Sequence, residues 1–227
     1  MPNVMTNPQG YNRAMSGYVP KMQYSSDVNF NGGTRVDFGF PAAATPTLVS
    51  NLIAVGAAGT TDLSGVVQFP EPYGRTITFV LGAAGTPNIT INGYDYLGQG
   101  ISETIAATGV TPVAGKKAFK SFRSVSNPGA AITISIGSGA ALGLPYKALR
   151  CQFETAGGAL VAAGTLAAPI LIAQTASTGD PRGTYTPTTA LTGTPVGANW
   201  ITAVFDFVND VDVALGGGLH GLPHFAS

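Results

Sequence analysis

Residues 75–92 read R-T-I-T-F-V-L-G-A-A-G-T-P-N-I-T-I-N. Ile77, Phe79 and Leu81 alternate with Thr76, Thr78 and Val80, and Ile89 and Ile91 flank Thr90 in the same way. A period of two puts successive side chains on opposite faces of an extended chain, so the pattern is that of strands with one buried face. Threonine suits the other face because its branched Cβ favours extended backbone. The run A-I-T-I-S-I at 131–136 repeats the signature.

Working outward, strand patterns bounded by Gly, Pro or Asn occupy residues 48–55, 65–69, 102–106, 118–125, 148–154, 158–162, 168–174, 183–187 and 199–208. Residues 93–100 and Asp180-Pro181-Arg182-Gly183 read as turns by composition. No long stretch keeps a 3.6-residue period without Gly or Pro inside it. The expected fold is all-β, a β-sandwich or jelly-roll-like domain over residues 48–215. Residues 1–47, rich in Asn, Gly and Pro with scattered aromatics, have little capacity for a core of their own. They read as an extended N-terminal arm laid over a neighbouring surface. Residues 216–227 read as a Gly-rich C-terminal tail.

Composition narrows the function. Of 227 residues only 10% are charged, with 11 acidic and 11 basic groups, against roughly 25% in an ordinary soluble domain. No net field draws the chain to nucleic acid or an anionic membrane. A free monomer with so few charges is poorly defended against self-association, which points to a surface that meets protein. Cys151 is the only cysteine, so no internal disulfide forms and no oxidising compartment is required. The start Met1-Pro2-Asn3 lacks the pattern of a secretory signal. The uncharged stretches 38–61 and 155–179 are both interrupted by Pro, Gly and polar residues, so no membrane-spanning helix is expected.

Residues that might carry chemistry are sparse. His220 and His224 stand at i, i+4, but Gly221 and Pro223 oppose a helix and no further ligand is near, so no metal is expected there. Asp206, Asn209, Asp210 and Asp212 lack the regular spacing of a calcium loop and read as a strand end or as partners for a neighbouring subunit. Lys116, Lys117, Lys120 and Arg123 form the one basic cluster, read either as a solvated hairpin face or as intersubunit ion pairs rather than phosphate contacts. No nucleophile elbow, zinc-protease motif or phosphate loop is present. A carboxylate pair drawn from Glu71, Glu103 and Glu154 with the aspartates is the remaining route to hydrolysis. The chain reads as a non-enzyme with no cofactor. For a glycan platform the candidates are Tyr94, Tyr96 and Trp200, with Trp200 expected in the core.

Four motifs carry a family resemblance: ITINGYDYLGQGISET at 89–104, PVAGKKAFKSFRSV at 112–125, GLPY at 143–146 and TGDPRGTY at 178–185. Together they resemble head-associated structural proteins of tailed bacteriophages. Pro181 departs from the usual turn of the last motif, and neither terminal segment is covered. The resemblance implies a capsid decoration or cement protein on the virion surface, made in the host cytoplasm. The implied partner is the major capsid protein, with self-association as a dimer or trimer and no nucleic-acid or membrane partner. A tail or fibre component, either a host-recognition module or a connector, is the alternative. Under the cement reading the arm aromatics Tyr11, Tyr18, Tyr24, Phe30, Phe38 and Phe40 are the expected interface anchors, joined by the basic cluster.

Overall fold

The computed structural model describes residues 33–55, 59–170, 175, 177–193 and 200–207. In chain order the strands begin with β1 (Thr34–Gly39), β2 (Thr45–Val55), β3 (Gly59–Gln68), β4 (Arg75–Leu81), β5 (Asn88–Tyr94), β6 (Gly100–Ala106) and β7 (Val113–Ala114). They continue with β8 (Ser121–Asn127), β9 (Ile132–Gly143), β10 (Ala148–Ala156), β11 (Ala159–Val161), β12 (Thr165–Ala167), β13 (Thr184–Thr186) and β14 (Ile201–Phe207). The protein is all-β, and its strands form three antiparallel sheets. One sheet runs β12-β13-β9-β4-β7, with β2 also on β9; a second runs β3-β8-β5-β6; a third runs β1-β14-β10-β11.

The isoleucine–threonine alternation does what its period predicts. Ile77, Phe79 and Leu81 of β4 and Ile134 and Ile136 of β9 pack against Ile89 and Ile91 of β5, Ile101 and Ile105 of β6, and Phe122 and Val125 of β8. This is a sandwich core between the first two sheets, and each such side chain contributes about 1.5–3 kcal/mol by leaving water. Thr76 and Thr78 are buried as well, although they lie on the opposite face. The register between β4 and β9 jumps from Arg75↔Leu142 to Ile77↔Ser138. That bulge brings Gly139 against Thr76, where a Cβ on residue 139 would stand 2.2 Å from Thr76 Oγ1. Glycine is required by the close approach, and the Gly139 carbonyl accepts from Arg75 Nε at 2.9 Å.

A second core joins the third sheet to the far end of β9. Val36, Phe38, Leu142, Leu144, Ala148, Tyr185, Ile201, Ala203 and Phe205 make it up. Phe38 stacks on Tyr185 at 5.8 Å, and Tyr185 meets Phe205 edge-on at 5.0 Å.

Two sequence expectations shift here. Residues 34–47 were expected in the arm, yet they contain β1 and the start of β2, and Val36 and Phe38 are core residues. A six-residue strand with two inward side chains is too short for its alternation to stand out in the sequence. The strand expected at 168–174 is instead β12, just before it; residues 168–170 are not in a strand, and 171–174 lie outside the described residues. The arm proper and the C-terminal tail also fall outside them.

Candidate functional site

Half of the basic cluster turns inward. Lys117 is fully buried and its Nζ donates to the Thr175 carbonyl at 2.8 Å. Lys120 turns its Nζ to the carbonyls of Phe69 (2.8 Å) and Glu71 (2.7 Å). An ammonium group with its donors on backbone carbonyls ties loops together and is not free to meet a partner's carboxylate. The intersubunit role expected of Lys117 and Lys120 is therefore corrected to an internal one. Lys116 and Arg123 remain exposed, with the Arg123 guanidinium 5.7 Å from the centre of the Tyr94 ring.

The four motifs of the family resemblance meet at one buried polar cluster. In the loop after β5, Asp95 Oδ1 accepts from the backbone N–H groups of Leu97 (2.9 Å) and Gln99 (2.8 Å). Its Oδ2 receives Arg182 Nη2 at 3.0 Å. Asp180 Oδ1 accepts the Arg182 N–H at 2.9 Å, and its Oδ2 accepts the Ala118 N–H at 3.0 Å. The Arg182 guanidinium lies 4.9 Å from the centre of the Tyr96 ring, and the Tyr96 hydroxyl donates to the Pro145 carbonyl. Glu103 of β6 completes the cluster by accepting the N–H groups of Lys116 (2.5 Å) and Lys117 (3.2 Å). Each carboxylate thus closes a loop that backbone bonding alone leaves open. The arrangement is a strut between loops, and it accounts for the aspartates and arginine of these motifs without any ligand.

Burial pushes the Glu103 carboxyl up to about 7, against the opposite pull of its two N–H donors and of Lys117. Burial also brings Lys117 down to about 8, opposed by Glu103 and Asp180. A carboxyl held above its unfolded value stabilises the fold most below about pH 4.5 and loses that contribution as pH rises through about 7. An amine held below its unfolded value contributes fully above about pH 10.5 and loses that as pH falls through about 8. The pair is therefore least favourable to stability between these two folded-state values. Thermal midpoints measured at pH 5 and pH 7.5 should fall more in the wild type than in Glu103→Gln, conditions chosen to bracket the Glu103 transition. Parallel changes in the two proteins would remove Glu103 as the source.

Other expected site residues are placed as follows. Glu154 is buried, accepting from the Tyr185 hydroxyl at 2.6 Å and from the N–H groups of Thr188 and Thr189 at 2.9 Å each. Glu71 pairs with Arg75 at 2.8 Å. Asp206 bonds Arg150 Nε and Gln152 Nε2. Asn209, Asp210, Asp212, His220 and His224 lie outside the described residues, as do Tyr11, Tyr18, Tyr24 and Phe30. Among the described residues no group of three metal-ligating side chains comes together, and no helix is long and apolar enough to cross a membrane.

Trp200 was expected in the core but is 43% exposed, with half-buried Phe40 edge-on to it at 5.3 Å. It lies beside the outward face of the third sheet. There cross-strand neighbours share a face, so Phe153 of β10, Val204 of β14 and Arg35 of β1 form one row. Thr155 of β10, Leu160 of β11, Thr202 of β14 and Asp37 of β1 form the next. Phe153 and Leu160 are exposed. Comparison with protein-family models, with curated proteins and with solved structures finds no match.

Sequence reasoning missed the buried cluster. Its signal was present in the placement of Asp95, Asp180 and Arg182 within turns of a chain that spends charge so sparingly.

Proposed function

We propose that the chain is a structural subunit of a tailed-phage virion, a capsid cement or decoration protein that binds across major capsid protein subunits. One observation carries the reading beyond the motif resemblance. Arg75, Lys117, Lys147 and Arg182 are buried, and so are Glu71, Asp95, Glu103, Glu154 and Asp180. A chain already poor in charge thus spends more than half of its described charges inside, and its surface keeps few against association. Such a surface suits permanent contact with protein, where depletion of charge at the centre of the interface is the distinguishing mark.

The mechanism is burial of surface across the seams of a shell. A standard interface covers about 1,600 Å² in total. The exposed apolar side chains on the third sheet, Phe153 and Leu160, supply a face for such contact. Residues 1–32 supply the reach, and closed symmetry favours self-association as a dimer or trimer.

The test is the chain's copy number relative to the major shell subunit, by quantitative mass spectrometry of purified particles. A fixed ratio that repeats with the shell's symmetry is expected. A handful of copies per particle would exclude cementing and move the chain to the tail or a vertex.

A further inference from the structure

A cavity of about 440 Å³ opens between the β1–β2 connection and the loop that leads into β4, with Trp200 at its rim. Its volume lies within the roughly 300–1,000 Å³ of small-molecule sites. Trp200 is the chain's only tryptophan. Its Nε1–H donates to Asp37 Oδ1 at 2.7 Å, which fixes the ring while leaving much of it to solvent. The same oxygen accepts the Gly39 N–H at 2.9 Å. Phe40 stands edge-on to the indole and lines the cavity beside it.

Glu71 also lines this cavity, and its side chain is only 2% exposed. Its Oε1 is taken by Arg75, but its Oε2, equally buried, has no hydrogen-bond partner. A buried acceptor without a donor is costly, and native structures keep few of them.

We propose that this cavity binds a neutral saccharide of one or two rings, an activity beyond anything a cementing role needs. The chemistry of the lining selects that class. An anion would meet the carboxylates of Asp37 and Glu71, and the nearby cation, Arg75, already donates to Glu71, to Gly139 O and to Ala42 O. A cation would be set beside the Arg75 guanidinium, which already balances the Glu71 charge at 2.8 Å. A sugar hydroxyl is a donor without charge, which suits a lining whose polar side chains are carboxylates. The fixed indole with Phe40 offers an apolar wall for the C–H face of a pyranose, with exposed Asp37 as an acceptor for its hydroxyls. A mostly apolar lining with a few placed polar groups is the usual form of such sites.

The full chain is titrated with the methyl glycosides of glucose, galactose, mannose, rhamnose and N-acetylglucosamine. Trp200 fluorescence is one readout and saturation-transfer NMR the second. Arginine methyl ester and glucuronate serve as the cationic and anionic probes. At least one neutral glycoside should give a saturable change in both readouts, and neither charged probe should. By NMR, Trp200→Ala and Asp37→Ala should each weaken that binding by about tenfold, the scale on which a lost aromatic anchor is felt. Both positions are exposed, so the variants keep the core intact, and circular dichroism checks this. A saturable response to the arginine ester alone would make this a cation site, and none with any glycoside would end the proposal. Sugar binding undiminished in both variants would also overturn it, by placing the sugar elsewhere.

Discussion

Replacing Arg182 with alanine is expected to remove about 3–5 kcal/mol of folding stability, the range for stripping one partner from a buried ion pair. The guanidinium is 2% exposed and lies 3.0 Å from Asp95 Oδ2, on a carboxylate whose own exposure is 0%. Without it Asp95 and Asp180 stay in the interior as carboxylates that have lost their shared cation, and the Tyr96 ring loses the group packed over it. Domains of this size are stable by only about 5–15 kcal/mol, so the variant should be largely unfolded at modest denaturant. Urea unfolding followed by circular dichroism measures the loss. Pairing Arg182→Met with Asp95→Asn separates charge from packing. The double variant should be more stable than Arg182→Ala, because an amide keeps the bonds to Leu97 and Gln99 and leaves one stranded carboxylate, Asp180, where Arg182→Ala leaves two. A loss below about 1 kcal/mol for Arg182→Ala, the scale of a surface pair, would mean that the cluster does not hold the loops.

That cluster also explains how the sequence can be read well for strands and poorly for surface. The alternation around Ile77, Phe79, Ile89 and Ile91 is a local property, because side-chain direction along a strand depends on nothing beyond the strand. Whether the second face is open to water depends on what the rest of the chain lays over it. Thr76 looks like an outward residue and is buried, since the bulge in β9 brings Gly139 onto it. Lys117 and Lys120 fail for the same reason at longer range. Four cations in eight residues describe an exposed patch only if their heads reach solvent, and no local pattern reveals that Thr175 O, Phe69 O and Glu71 O wait within reach. Trp200 errs in the opposite direction. Its size and apolar character argue for the core, but its N–H needs a partner, and Asp37 on the outward face of β1 supplies one.

The interior charges and the bare surface are two sides of one allocation. The loops between the strands carry backbone groups that no sheet ladder pairs, and these need acceptors and donors when buried. Asp95, Glu103, Glu154 and Asp180 provide acceptors, each for at least two N–H or O–H donors, while Arg75 and Lys120 cap carbonyls. The four motifs that meet at this cluster therefore hold the fold of this chain, while Lys116 and Arg123 within them stay at the surface.

Deleting residues 1–40 is expected to destabilise the domain severely, whereas deleting residues 1–32 should leave it folded. The first cut removes β1, and with it five register pairs to β14 and the buried side chains of Val36 and Phe38. Truncating one buried Phe costs about 3–5 kcal/mol by itself. Here Tyr185 and Phe205 would also lose the ring that stacks on one and meets the other edge-on. The second cut keeps β1 and each described contact of it, so its thermal midpoint should match that of the full chain. If residues 1–32 act as an arm with Tyr11, Tyr18, Tyr24 and Phe30 as anchors, this shorter chain should fold normally and bind particles weakly, as co-sedimentation would report. Loss of stability in both truncations would place part of the core before residue 33. Normal folding with undiminished particle binding by the chain lacking residues 1–32 would end the arm reading and leave the outward face of the third sheet as the contact surface to test.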